Sequence, residues 1–319
     1  MNHNLTGLFA VGLLGAFCSC QQQSAAKIVG TVSPASAIET GVHWAAPTDF
    51  AQLKRLGHQF AVVSLDRDPD HWREVFDMAD QAGIRLIAGL HPYPYKVNAA
   101  GEWEIELVGQ QFIKYAQTRA PLVKALFVFN EPIWVDPATG RNTPCGALPA
   151  AQLRALRTRI HQIWPRALIY HDFGRPSLWA PGGSMERDNP CVGARYADVS
   201  EVADYAGIWF YPVSASDGYR REEILRAMRE EMAYVTRAMR AEPIVLGQAF
   251  RCARCTDGTR LPSFDELRDL NCTLRWLAPQ GISWYPWRQP AYEDSLASHE
   301  ELWRATGPGA CPEGRGGGS

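Results

Sequence analysis

Short apolar runs alternate with amphipathic stretches from residue 38 to the end of the chain. The runs are Gly41–Trp44, Phe60–Leu65, Arg85–Leu90, Ala125–Phe129, Ala167–Tyr170, Ala206–Tyr211, Pro243–Gly247 and Gly281–Tyr285. Each has strand length and is apolar almost throughout, the pattern of strands covered on both faces in a parallel sheet. Between them, apolar residues recur at helical spacing over 49–56, 70–82, 110–123, 150–164, 221–240, 264–277 and 295–305. Ser263 and Glu266 have the spacing of a capping box, and Gly57 and Gly83 stand where helices terminate. Only the crossover 173–202 is weakly helical, being rich in Gly and Pro. Strand–helix units repeated in this way over roughly 250 residues predict an α/β fold, a (β/α)8 TIM barrel formed as a single domain over 38–305. A doubly wound sheet would call for a glycine-rich phosphate turn after the first strand, and none is present.

The flanks read differently. Residues 1–20 have the form of a secretory leader, because the apolar run Leu5–Phe17 is shorter than the about 20 residues that span a bilayer. The run is followed by Cys18-Ser19-Cys20 and a polar tether, although Met1–Asn4 carries no Lys or Arg. Two fates follow, lipidation at Cys20 or simple cleavage. Both predict an exported chain, periplasmic, extracellular or an outer-membrane lipoprotein, with a lipid anchor at Cys20 as the one membrane contact expected. Residues 21–37 form a linker and 306–319 a glycine-rich tail.

Past the leader lie Cys145, Cys191, Cys252, Cys255, Cys272 and Cys311. An even number of thiols in an exported chain predicts disulfides, with the pairing open. Cys252-Ala-Arg-Cys255 has no second such pair to complete a zinc site.

With 319 residues, 46% hydrophobic and 21% charged, the composition is that of a globular chain and excludes disorder and fibres. A net charge of −2 without a basic run supplies no field for nucleic acid, so no nucleic-acid partner is expected.

A barrel of this kind builds its site at the C-terminal ends of the strands. In order, those ends carry His43 and Trp44, Asp66 and Arg67, His91 and Tyr93, Asn130 and Glu131, His171 and Asp172, Tyr211, Gln248, and Trp284 and Trp287. All are polar or aromatic, as a lined cleft requires.

Asn130-Glu131-Pro132, closing the fourth run, resembles the clan A glycoside hydrolases, (β/α)8 enzymes in which an Asn-Glu pair ends strand four. The resemblance implies Glu131 as general acid/base, and Tyr211 and Trp284 match aromatic positions common on strands six and eight of that family. It implies an oligo- or polysaccharide as partner and no cofactor. Asn130 would bind a sugar hydroxyl near the reacting carbon, and Trp44, Trp284 and Trp287 would stack on sugar faces. His43, Asp66, Arg67, His91, Tyr93 and His171 complete the expected substrate contacts. Glu131 also has neighbours, Asn130 and Trp134, that suit a carboxyl kept protonated.

Strand seven departs from the family, with Gln248 where retaining members carry a nucleophilic Glu. Three readings stay open. Glu131 could work with another carboxylate as base, Asp172, Asp66 or Asp136; inversion needs about 6.5–9.5 Å between the two and retention about 5–5.5 Å. A 2-acetamido group of the substrate could be the nucleophile, oriented by Gln248 or Asp172. Or the barrel binds sugar without cutting it, Gln248 marking a silent site. Hence the expected catalytic set is Glu131, Gln248 and Asp172. A metal site of the amidohydrolase kind would need a His-x-His on strand one and an Asp on strand eight. The chain has His43-Trp44-Ala45 and Trp284 there, so no metal is expected.

Overall fold

A computed structural model describes residues 38–132, 150–180, 183, 198–214, 216, 218–251, 258–277, 279–288 and 294–311. The leader, the linker, Trp134, Asp136, Cys145, Cys191, Cys252, Cys255 and residues 312–319 of the tail lie outside the described residues.

The strands are β1 (Glu39–His43), β2 (Phe60–Leu65), β3 (Arg85–Leu90), β4 (Val123–Asn130), β5 (Ile169–Gly174), β6 (Tyr205–Trp209), β7 (Glu242–Gln248) and β8 (Gly281–Tyr285). They are parallel and each pairs with its neighbours in sequence, β8 closing onto β1, so the sheet is a closed eight-stranded barrel. The fold is the expected (β/α)8 barrel.

The helices α1 (Phe50–Arg55), α2 (Pro69–Ala82), α3 (Leu107–Thr118), α4 (Ala150–Ile163), α5 (Arg221–Tyr234) and α6 (Phe264–Trp276) follow the amphipathic stretches. Gly83 caps α2 at φ 65°, and Ser263 and Glu266 close the capping box of α6. Two stretches differ from their sequence pattern. The helix expected over 221–240 becomes a π turn at Val235–Met239 before ending on Arg240. Residues 295–305 form 3-10 turns instead of an α-helix. There the Leu296 carbonyl accepts from Trp303 Nε1 at 2.7 Å and from His299 N, which occupies an acceptor that an α-helix would use for its own ladder.

Closing the sheet sorts side chains into two cores. Phe60, Val62, Ile87, Phe127, Tyr170 and Leu246 belong to the inner one, around the barrel axis. Val63, Leu65, Leu86, Val128, Val245 and Ile282 point outward and pack with helix residues such as Trp72, Phe76 and Leu270. Glycine makes room where large inner residues cross. A Cβ on Gly89 would lie 2.0 Å from the Phe127 carbonyl oxygen, and one on Gly207 2.2 Å from Tyr170 Oη. The lower end is closed by an ion cluster. Lys124 Nζ lies 2.6 Å from Glu39 and 4.7 Å from the centre of the Tyr205 ring, and Arg85 pairs with Glu39 from the other side. Burial lowers the Lys124 pKa; it would raise that of Glu39, but Lys124 and Arg85 outweigh it and hold the carboxyl below its usual range. At the upper end Ser64, the inward position above Val62, is exposed.

The last described residues form a strap over the seam between β8 and β1. Asn271 Nδ2 donates to the carbonyls of Ala305 and Gly307 at 2.9 and 2.8 Å, Trp284 Nε1 donates to Thr306 O at 3.0 Å, and His58 Nε2 meets Thr306 Oγ1 at 3.2 Å. A disulfide, Cys272–Cys311, ties the strap to α6. The fold therefore continues past the expected boundary at residue 305 to at least Cys311.

Gly89→Ala should cost about 1–3 kcal/mol, because the added carbon meets backbone that cannot swing away. Urea unfolding measures this, and an unchanged midpoint would contradict the packing described.

Candidate active site

The tips of β4 and β5 are irregular in a way that builds the site. The register between β4 and β5 slips at Val128, so Val128 and Phe129 both pack in the outer core while Asn130 pairs with Asp172, and the register between β5 and β6 slips after Asp172. The chain then turns at Glu131, which has φ 49°, and at Gly174, which has φ 67°. Glu131 N donates to the Asp172 carbonyl at 2.7 Å, so the two acidic residues stand side by side on neighbouring strand tips. A positive φ at a non-glycine residue is sterically costly and is retained where surrounding contacts impose it, often at functional sites.

Asp172 is buried, accepts from Gly174 N at 3.3 Å and hydrogen-bonds Trp209. Burial, then the charge of Glu131, push its pKa well above the carboxylate range, against the two hydrogen bonds that favour its anion. Burial raises Glu131 as well. No cation among the described residues acts on either carboxyl, so the pair retains a proton to higher pH than ordinary carboxyls do. Tyr93 completes the corner: its Oη accepts from Asn130 N at 2.9 Å, its ring packs edge-on against Phe129, and burial followed by the two carboxylates pushes its pKa up to about 12.

Aromatic side chains wall the rest of the mouth. Tyr211 stacks on Trp209 with centroids 4.8 Å apart and an interplanar angle of 5°, and Tyr285 lies 6.0 Å from Tyr211 and 5.0 Å from Trp44. Trp44, Trp209 and Tyr211 are partly exposed. His43 sits below them in the inner core, 5.1 Å from Tyr285, and burial pushes its pKa down to about 3, leaving a neutral imidazole. Its two ring nitrogens, Tyr170 Oη and Ser283 Oγ are buried without a hydrogen-bond partner among the described residues.

Several expected contacts fall elsewhere. Trp284 points outward, is fully buried and bonds the strap, so the inward aromatic of β8 is Tyr285. Trp287 also packs outside, 5.5 Å from Trp303. His171 faces the helix layer, stacked on Phe129 at 5.8 Å, and burial pushes its pKa down to about 3. A strand alternates faces, so for His171 and Trp284 a shift of one residue exchanges cleft for core. Asp66 is used by the start of α2, accepting from Asp68 N at 2.9 Å and pairing with His71 at 3.0 Å. Arg67 bonds Glu106 at 2.7 Å and the Tyr93 carbonyl at 3.2 Å, bracing the loop that holds Tyr93. His91 is exposed beside Tyr93, with ring centroids 5.6 Å apart. Trp209 and Tyr285 were not singled out by the sequence pattern; counting inward positions from Tyr205 and Gly281 reaches both.

Gln248 lies on the inner face but is fully committed. Its Oε1 accepts from Val213 N at 2.9 Å, and its Nε2 donates to the carbonyls of Val213 and Arg260, each at 2.9 Å. One amide thus clamps the loop after β6 to the segment before α6. A carboxylate has no hydrogens to give those two carbonyls, so the position is built for glutamine. Among the described residues, no group of three His, Cys, Asp or Glu side chains could hold a metal ion.

Two outcomes follow from these environments. Gln248→Glu should lose about 1–3 kcal/mol of stability by leaving two buried carbonyls facing a carboxylate; a variant as stable as wild type in thermal melts would contradict the clamp. For Asp172 the sign is set by linkage. A carboxyl with a higher pKa folded than unfolded costs stability as pH rises from about 4 through the folded value. Asp172→Asn keeps the acceptor and removes the ionisation, so its melting temperature should exceed that of wild type at about pH 8 and converge with it near pH 4.

No family model matches the chain, and no curated protein matches its sequence. Solved structures do share its fold. A candidate alpha-L-fucosidase from Bacteroides thetaiotaomicron aligns at TM-score 0.50 and 11% identity, over 86% of this chain and 97% of that one. An endo-beta-1,3-glucanase from Amycolatopsis mediterranei, solved with laminarihexaose, aligns at TM-score 0.45 and 15% identity over 84% and 99%. A family 1 beta-glucosidase from Thermotoga maritima aligns at 0.45 and 13% over 75% and 76%. At TM-score 0.50 the first of these likenesses supports the fold alone, the (β/α)8 barrel that the strand order shows directly.

Proposed function

We propose that the protein is a glycosidase that acts on an oligo- or polysaccharide outside the cytoplasm, with Glu131 as general acid/base. The observation that carries this reading is the corner at β4 and β5: a carboxyl with a raised pKa on a positive-φ turn, beside a second buried carboxyl, at an open mouth walled by aromatic rings. Cleaving a glycosidic bond requires an acid still protonated at working pH, and burial supplies that. Flat, half-exposed rings such as Trp44 and Tyr211 suit the apolar faces of sugars. The Cys272–Cys311 disulfide supports export, since such bonds persist in oxidising compartments; anchoring through Cys20 belongs to the same proposal.

A second reading is favoured by one observation, the commitment of Gln248 to backbone. With no nucleophile on β7, the barrel could hold sugar without cutting it.

Reducing-sugar release from a panel of glycans separates the two. A glycosidase should release sugar, lose about 100-fold or more in Glu131→Gln, and lose activity on the alkaline side as Glu131 ionises. A binder should show calorimetric affinity in both forms and turnover in neither.

A further inference from the structure

The two carboxyls of the mouth stand on adjacent strands, not across from each other. Glu131 and Asp172 are joined backbone to backbone, and Asn130 is the register partner of Asp172. Double displacement needs a carboxylate on the sugar face opposite the acid, and inversion needs one there to activate water. Among the described residues, the inward groups at the ends of β7, β8 and β1 are Gln248, Tyr285, and His43 with Trp44, none of them a carboxylate. Gln248 has both amide hydrogens bound, and Asp66 is held at the start of α2. None of the described residues of the rim thus offers a carboxylate opposite Glu131.

Resting on the glycosidase reading above, we infer that the substrate supplies the nucleophile: the sugar bound beside Glu131 carries a 2-acetamido group, and Asp172 holds the N–H of that group. Asp172 suits this task. It is buried next to the acid, it already accepts from Gly174 N and Trp209, and a third N–H donor would further favour its anion. The Trp209–Tyr211 stack beside it offers an apolar surface for the acetamide methyl. In the free protein Asp172 is the more strongly raised of the two carboxyls; the acetamide N–H, by stabilising its anion on binding, leaves the proton of the pair on Glu131, whose carboxyl has no hydrogen-bond partner among the described residues.

The steps balance. The acetamide carbonyl oxygen attacks C1 while the bond from C1 to the leaving oxygen breaks, and the Glu131 proton passes to that oxygen. The oxazolinium formed keeps its N–H against the Asp172 carboxylate. Water then attacks C1, giving a proton to Glu131, and the bond from C1 to the carbonyl oxygen breaks to restore the acetamide. Because the acetamide must reach C1 from the face opposite the leaving group, the glycoside must have the 1,2-trans arrangement, which is β for the gluco and galacto series.

The full chain should be tested on 4-methylumbelliferyl β-N-acetylglucosaminide and β-chitobioside beside the matching β-glucoside and β-cellobioside. The expected result is kcat/KM at least about 100-fold higher on the acetamido substrates. kcat should fall stepwise through mono-, di- and trifluoroacetamido analogues, as the carbonyl oxygen weakens as a nucleophile. Asp172→Asn should lower kcat with little change in KM. Equal cleavage of the 2-hydroxyl substrates, or a rate indifferent to fluorination, would overturn the inference and leave the glycosidase standing. Cleavage of neither set, with a GlcNAc-thiazoline bound no tighter than N-acetylglucosamine in calorimetry, would overturn both.

Discussion

Closing a sheet on itself gives every second residue of each strand to the axis and the rest to the helices, and nearly everything in this molecule follows from that division. The axis is filled by a few large side chains, Phe60, Phe127 and Tyr170, set against glycines, and sealed below by Lys124 with Glu39 and Arg85. A packed and sealed interior leaves the strand tips as the place where inward side chains meet solvent. The site is therefore a rim, and its chemistry is decided by which residue of each tip turns inward. At β4 and β5 that choice is made by a register slip, which brings Asn130 and Asp172 to one level and lets the turn at Glu131 present a carboxyl beside them.

The same division explains why two similar-looking polar residues differ in kind. Asp172 and Gln248 are both buried and inward at strand ends. The amide meets two carbonyls and one N–H, matching its two donors and one acceptor, and becomes a joint between loops. The carboxyl meets N–H donors and another carboxyl, so it keeps capacity to accept and carries a proton cost. One ties two loops together and the other keeps a free accepting capacity at a strand tip.

How much of this could be read beforehand depended on the range of the signal. Strand order and count were legible because each strand is a short apolar run bounded by polar residues, and Phe60–Leu65, Arg85–Leu90 and Gly281–Tyr285 have the same bounds in sequence and structure. Glu131 and Asp172 were legible because both follow apolar runs. His171 and Trp284 were misplaced because a residue's face depends on where the pleat starts and on bulges, which are fixed by pairing with a distant strand. The fates of Asp66, Arg67 and Gln248 depended on partners such as His71, Glu106 and Val213, chosen by the loops, and loop shape leaves little trace in hydrophobic pattern.

The strap over the β8–β1 seam couples the last described residues to the first turns of the barrel. Thr306 bonds both His58, in the turn before β2, and Trp284 on β8, and the Cys272–Cys311 bridge locks that arrangement in place. The seam of the ring is thus held by residues outside the eight strands and six helices. Removing residues 306–311 would therefore take a keystone from the ring, not a tail.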